Sequence, residues 1–143
     1  MTALPEGYTL VTDQDAIDAV AAHAYLTTSY WSRGIPLETV QRALAGSLCV
    51  AVRHAGAQVA FARVVTDRAT FAYLADVYVL DANRGQGLSK AMVAALHAHP
   101  ELQGLRRWML MTRDAHGLYA QFGWTPLANP ALAMERHDPQ VYA

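Results

Sequence analysis

The hexapeptide Arg84-Gly85-Gln86-Gly87-Leu88-Ser89 carries the clearest capacity for ligand chemistry in the 143-residue chain. A β-prone run leads into it and a helical pattern leaves it, which places the loop at a strand-to-helix junction. Glycines let the backbone turn sharply and approach a ligand with no Cβ in the way. The unpaired N–H groups of the helix's first turn point at the same place, and the helix dipole favours negative charge there. Arg84 can add a charge-assisted contact. This is chemistry for an anion such as phosphate. A dinucleotide fingerprint needs a third glycine three residues after Gly87, where this chain has Lys90. A P-loop needs four residues between its glycines, and a single one separates Gly85 from Gly87. Spacing alone leaves two readings open: a phosphate cradle, and a turn that holds nothing.

Other reactive side chains are scattered. Asp76 is a carboxylate inside the otherwise apolar run Tyr73-Leu74-Ala75-Asp76-Val77-Tyr78-Val79, a costly place unless it is paired or used. It can bind an ammonium group or take its proton through water, and an ion pair with Arg63 or Arg113 is the alternative. His116 titrates in the range useful to a base, although a solvent-facing histidine is the commoner case on a short helix. Cys49 has no histidine near it in sequence and reads as a small buried side chain rather than a nucleophile. His97 and His99 are two apart and share no helix face, so no metal is expected.

The elements that must position these residues alternate along the chain. Tyr8 to Val11 is a short β-prone run closed by Thr12-Asp13, a helix N-cap pair. Ile17, Val20, Ala21, Ala24 and Tyr25 then recur at the spacing of one helix face. Pro36 opens a second helix, with Leu37, Val40 and Leu44 on one side and Gly46 as its stop. Strands are expected at Leu48 to Arg53, Gln58 to Thr66 and Thr70 to Leu80, whose short connections favour antiparallel hairpins. A helix from Leu88 to about His97, a strand from Arg107 to Met111 and a short helix from Ala115 to Phe122 follow. Trp124 to Leu127 and Leu132 to Glu135 read as a closing β pair. The order predicts a mixed α/β (α+β) domain over residues 1–143, with a mostly antiparallel sheet of about six to seven strands and about four helices on its faces.

Bulk properties narrow the function classes. The length suits one domain and is short for two. Apolar residues at 53% and charged residues at 16% exclude a disordered tail and a highly charged nucleic-acid binder. A net charge of -1 supplies no excess of cations for a phosphate backbone. The single cysteine forbids an intramolecular disulfide and fits a reducing compartment. Met1 to Thr12 lacks the basic start and apolar stretch of a secretory signal. No run approaches the roughly 20 apolar residues that cross a bilayer. A cytoplasmic globular protein with neither membrane nor nucleic acid as partner is expected.

Two segments go beyond spacing. Val79-Leu80-Asp81-Ala82-Asn83-Arg84-Gly85-Gln86-Gly87-Leu88-Ser89 resembles the acetyl-CoA motif of the GCN5-related N-acetyltransferase (GNAT) superfamily. Ala115-His116-Gly117-Leu118-Tyr119-Ala120-Gln121-Phe122-Gly123-Trp124 resembles that superfamily's later motif around a tyrosine. The separation of the two and the order of elements match as well, so the resemblance covers nearly the whole chain. The chain departs from the usual pattern at Ala82, where Gln or Arg is common, and at Thr112, where Asn is common.

The resemblance implies a GNAT-like fold and transfer of acetyl from acetyl-CoA, as co-substrate, directly to a primary amine of a small molecule. Loop residues Arg84 to Ser89 would hold the pyrophosphate. The backbone of Val77, Tyr78 and Val79 would pair with the pantetheine arm as if it were a strand, and a main-chain N–H there would bond the thioester carbonyl. Tyr119, a phenol with an ordinary pKa near 10, would protonate the leaving sulfur. Asp76 stands where related polyamine acetyltransferases carry an acidic residue and would serve as base. The segment between the first two helices commonly covers the acceptor, which gives Tyr30 and Trp31 the role of an aromatic wall, joined by Tyr73 and His116. Acetylation of a protein or peptide amine, or a non-catalytic acyl-CoA sensor, are the alternatives. Analogy adds a homodimer through the C-terminal strands.

Overall fold

Alternating apolar residues give the central strands two buried faces. Val50, Val52, Ala60, Ala62, Val64, Ala72 and Leu74 point to one, where they meet Leu88, Met92, Val93 and Leu96. Cys49, Phe61 and Tyr78 point to the other and meet Ala22, Leu26, Val40 and Leu44. The computed structural model that shows this describes residues 3–143; Met1 and Thr2, part of the segment read for a secretory signal, lie outside it. The strands are β1 (Tyr8–Val11), β2 (Leu48–His54), β3 (Ala57–Thr66), β4 (Phe71–Val79) and β5 (Arg107–Leu110), in the spatial order β1-β2-β3-β4-β5. Tight turns join β2 to β3 and β3 to β4, and a long helical segment joins β1 to β2. These three pairings are antiparallel, while β4 and β5 run parallel, a pairing that needs a long crossover. That crossover carries α3 (Leu88–His97). Helices α1 (Ala19–Leu26) and α2 (Leu37–Ala45) cover the opposite face, and α4 (His116–Ala120) follows β5.

Local signals place most of these elements. Gly46 is the C-cap of α2, as expected, and Pro36 is its N-cap, one residue ahead of the expected first turn. Asp13 differs: it caps a 3-10 turn at Gln14–Ala16, and Ile17 is extended. The helix starts later because Asp18 is the better placed cap, its carboxylate accepting from the Ala21 N–H at 3.0 Å just ahead of an alanine-rich run. The closing β pair is absent. Trp124 to Leu127 and Leu132 to Glu135 join no ladder, and only a 3-10 turn at Pro130–Leu132 forms there. Pro126 and Pro130 remove donors that a ladder needs. Among the described residues the sheet therefore has five strands rather than six or seven. Among the described residues, no helix is long and apolar enough to cross a membrane.

One irregularity in β4 sets the geometry of the sheet's open end. Arg63 lies opposite Ala75 and Phe61 opposite Tyr78, so a single residue of β3 faces both Asp76 and Val77. This is a β-bulge, with Asp76 at φ 57 in the left-handed region; aspartate is among the few side chains that tolerate it. The bulge reverses the alternation. Even-numbered Ala72 and Leu74 face α3, yet Tyr78 faces α1 and α2. β5 ends at Leu110 opposite Leu74, immediately before the bulge. Beyond that point β4 has no strand on its outer edge, and a slot opens between the two strands.

Candidate active site

A cleft of about 1530 Å³ follows this slot, lined by residues of the α1–α2 loop, β4, the glycine loop, the start of α4 and the chain's last residues. Pockets for one small ligand run to roughly 1,000 Å³, so this cleft has room for a long ligand and a second molecule.

Its first end is built from backbone. Gly85 and Gly87 hold φ 79 and φ 77, and Gly87 is the N-cap of α3 with no side chain capping it. The Ala91 N–H reaches the Gly87 carbonyl at 3.1 Å, which leaves the N–H groups of Leu88, Ser89 and Lys90 without helical partners. A Cβ on either glycine would meet nothing within 4 Å. The glycines thus serve the sign of φ, and the space over the loop is open to a ligand. Buried Leu88 anchors the loop in the α3-side core, and buried Asn83 ties it to β1 by donating to the Tyr8 hydroxyl at 3.1 Å. Arg84 is steered by its bond to the Val79 carbonyl, 3.3 Å, and its pairing with Asp81, 3.1 Å. Arg84, Gly85, Gly87, Leu88, Ser89, Val77, Tyr78 and Val79 all line the cleft, whereas Gln86 does not. Ala82 is exposed, and Thr112 turns its hydroxyl to the Ala115 N–H at 3.0 Å, fastening the turn into α4.

Tyr119 reaches the middle of the cleft. Its ring is buried against the α3-side core and tilted on Trp124. Its hydroxyl makes no hydrogen bond among the described residues. Burial, and then the neighbouring Tyr30, push its pKa up to about 12. The group is a firmly protonated donor facing the slot. His116, like Gln86, is an expected site residue that lies exposed and outside the cleft; in its case the start of α4 turns its N-cap Ala115 with Leu118 and Tyr119 inward at the spacing of one helix face.

The other end is built from side chains. The Asp76 carboxylate accepts from Arg63 Nε at 2.6 Å on one oxygen and from Trp31 Nε1 at 2.8 Å on the other. Arg63 also donates to the Ser47 hydroxyl, 3.1 Å, which donates on to the Ala43 carbonyl at the end of α2, 2.7 Å. Of the two readings of Asp76, the ion pair with Arg63 is present, and each carboxylate oxygen holds one donor. Arg113 lies 3.8 Å over the Tyr30 ring, Tyr30 meets Trp31 edge to face, and Tyr25 stacks on Tyr78 at 4.1 Å. Tyr73 shares the Arg63 face of the sheet; burial first and Asp76 second raise its pKa. Tyr78 is pushed up to about 12, chiefly by burial. Glu135 to Pro139, with Val141 and Tyr142, also line the cleft, a contribution for which the sequence carries no signal. Cys49 lies buried away from the cleft with Gln14 Nε2 at 3.4 Å from its sulfur, and burial raises its thiol pKa. Among the described residues no group of His, Cys, Asp and Glu is placed to hold a metal ion.

This architecture is shared. The acetyltransferase (GNAT) domain family matches residues 45–126. A crystal structure of a GNAT-family protein from Xanthomonas campestris pv. campestris superposes with a TM-score of 0.93 at 49% identity, covering 99% of both chains. A Gibberella zeae protein described as an acetyltransferase, FG08082, is 29% identical over 137 residues, 80% of this chain and 76% of its own length. A Clostridium acetobutylicum acetyltransferase structure with acetyl-CoA shares the fold, with a TM-score of 0.67 at 14% identity over 91% of this chain and 94% of its own. The splayed strands, the uncapped α3 and the matched domain define a GNAT acetyltransferase. The chain belongs to that family.

Proposed function

We propose that the chain moves an acetyl group from acetyl-CoA directly to a primary amine of a small molecule. The observation that carries this reading is a juxtaposition in one cleft: open amides at the α3 N-terminus, an unpaired β4 edge, and a protonated Tyr119 hydroxyl without a partner. These residues fit the donor. The N–H groups of Leu88 to Lys90 suit a pyrophosphate, and the edge of Val77 to Val79 suits the amide-bearing pantetheine arm. Acetyl-CoA, when bound, supplies the activated thioester carbonyl.

The chain's own residues do the rest. A main-chain N–H of the β4 edge bonds the thioester oxygen as charge builds on it. Tyr119 gives its proton to the departing sulfur. The acceptor amine loses its proton to water in the open cleft, since the Asp76 carboxylate is turned to Arg63 and Trp31. Asp76 instead fixes Trp31 and Arg63, and with them the wall of Tyr30, Trp31 and Tyr73 against which the amine lies. That wall and the covering C-terminal residues favour a small acceptor over a peptide laid in a groove. Thiol release on mixing with acetyl-CoA, screened over small amines and lysine-containing peptides, tests the reading. Release with small amines alone is expected; release with peptides alone would replace the acceptor class, and binding without release from any acceptor would make the protein a sensor.

A further inference from the structure

His97 lies away from the reaction cleft, yet its imidazole is closely held. It is half-buried at the end of α3, where Gln103 Nε2 donates to its carbonyl at 2.8 Å. Three aromatic rings surround it: Trp108 and Phe122 edge-on, at 4.9 and 5.8 Å, and Trp124 nearly parallel at 6.0 Å. Trp124 Nε1 donates to His97 Nε2 at 3.1 Å. An indole nitrogen has a proton to give and cannot accept one. The bond therefore runs one way, and His97 Nε2 must be bare. An imidazolium carries a proton on both nitrogens and cannot make this bond.

What depends on the bond is Tyr119. Trp124 is tilted against the Tyr119 ring at 6.0 Å, and its backbone N–H donates to the Tyr119 carbonyl at 3.3 Å. The Tyr119 hydroxyl has no hydrogen bond of its own among the described residues, so ring packing alone aims it into the reaction cleft. Trp124 sits between a glycine at φ 88 and a stretch in which every residue from 125 to 132 is exposed. Its indole is fixed by the contact with His97.

The neighbouring charges leave His97 to this role. Arg107 of β5 lines the same second cleft, of about 900 Å³, onto which the imidazole opens. On the turn after α3, His99 Nδ1 accepts the Glu101 N–H at 3.1 Å, and Glu101 pairs with Arg68 at 3.3 Å. The segment from Phe122 to Met134 carries no charged residue. None of these groups bonds to the His97 ring among the described residues, and burial lowers its pKa. The site favours the neutral form that the Trp124 bond needs, and the cleft gives solvent protons a way in.

We propose that His97 is a positioning residue for the acetyl transfer: through Trp124 it sets the Tyr119 hydroxyl, and protonation of His97 releases it. The effect on turnover rests on the proposed transfer; the sensitivity to acid rests on the hydrogen bond alone.

Two variants separate the bond from the packing. His97→Phe keeps a ring among the aromatics and removes the acceptor. His97→Gln offers an amide oxygen near the place of Nε2 and has nothing to protonate. Circular dichroism of both should match the parent's. With acetyl-CoA saturating, His97→Phe is expected to lose roughly tenfold to a hundredfold in kcat, with amine KM and acetyl-CoA affinity kept, and His97→Gln to recover most of that loss. A His97→Phe enzyme with the parent's kcat overturns the positioning role. The second measurement needs no turnover. NMR signals of the indole N–H groups and tyrosine rings are followed from about pH 8 to about pH 5, with Trp124→Phe and Tyr119→Phe as assignment controls. In the parent the Trp124 N–H and the Tyr119 ring should shift together, with a midpoint below the ordinary histidine value of about 6.5; in His97→Gln both should stay put. A Trp124 signal that does not titrate, or a Tyr119 ring that stays fixed while it does, overturns the proposal. No thiol release from the parent with any amine contradicts the transfer reading instead, and the coupling of His97 to Tyr119 is then judged on these signals.

Discussion

The two ends of the reaction cleft are made of different material. The donor end is backbone: two glycines with positive φ, the first-turn amides of α3 and the free edge of β4. The acceptor end is side chains drawn from the α1–α2 loop, both strands that flank the bulge and the C-terminal segment. Backbone donors suit what every member of a reaction class has in common, on the proposed reading a phosphate and an amide-bearing arm. Side chains on loops bind what differs. The boundary between the ends is the Asp76 bulge, which opens the slot on one side and carries the carboxylate that holds Trp31 on the other.

Substitutions can be chosen to act on one end only. The largest effect belongs to the residue between them: Tyr119→Phe should lower turnover by roughly 100- to 10,000-fold, the usual worth of a general acid, with acetyl-CoA affinity little changed. Equal losses in both would mean that Tyr119 packs rather than donates. Next is Gly87→Val. A β-branched side chain at φ 77 costs about 1–3 kcal/mol, so acetyl-CoA should bind roughly tenfold to a hundredfold more weakly, while the amine KM at saturating donor stays put.

Asp76→Asn acts on the other end. Asparagine keeps the left-handed conformation but leaves Arg63 without its ion partner, and the amine KM should rise severalfold with donor affinity intact. The acidic limb of the pH–rate profile should survive; its disappearance would restore Asp76 as the base. Smallest, and nil at neutral pH, is the alkaline effect of the two buried phenols. Tyr78 and Tyr119 lose their protons near pH 12 when folded and near 10 when unfolded. Above pH 10 the unfolded chain therefore holds fewer protons, and stability that is full below pH 10 drains away as pH climbs toward 12. Alkaline melting curves for Tyr119→Phe should fall less steeply than the parent's.

The same division explains what could be read from the sequence. The helix Leu88–His97 was legible, its start to the residue and its end approximately, because glycine turn, apolar face and length agree there. β2, β3 and β4 were legible within a residue or so from their apolar runs. The bulge was not, since nothing in Ala75-Asp76-Val77 marks an extra residue except the carboxylate itself. Counting alternate residues through it puts Tyr78 on the wrong face. The parity of Tyr73 and Arg63, settled by their place before the bulge, was open for the same reason. His116 was misplaced because a five-residue helix turns only part of its surface inward. The closing β pair was misread, because Leu132 to Glu135 alternates like a strand while Pro126 and Pro130 break the segment and it joins no ladder.

The donor end is the heart of the account, and calorimetric titration of acetyl-CoA into the parent, Tyr119→Phe and Gly87→Val reports on it most directly. Saturable binding of one acetyl-CoA per chain is expected, close to equal in the parent and Tyr119→Phe and weakened at least tenfold in Gly87→Val. No binding to the parent, or binding to Gly87→Val as tight as the parent's, would contradict a donor site built on the backbone of the loop from Arg84 to Ser89.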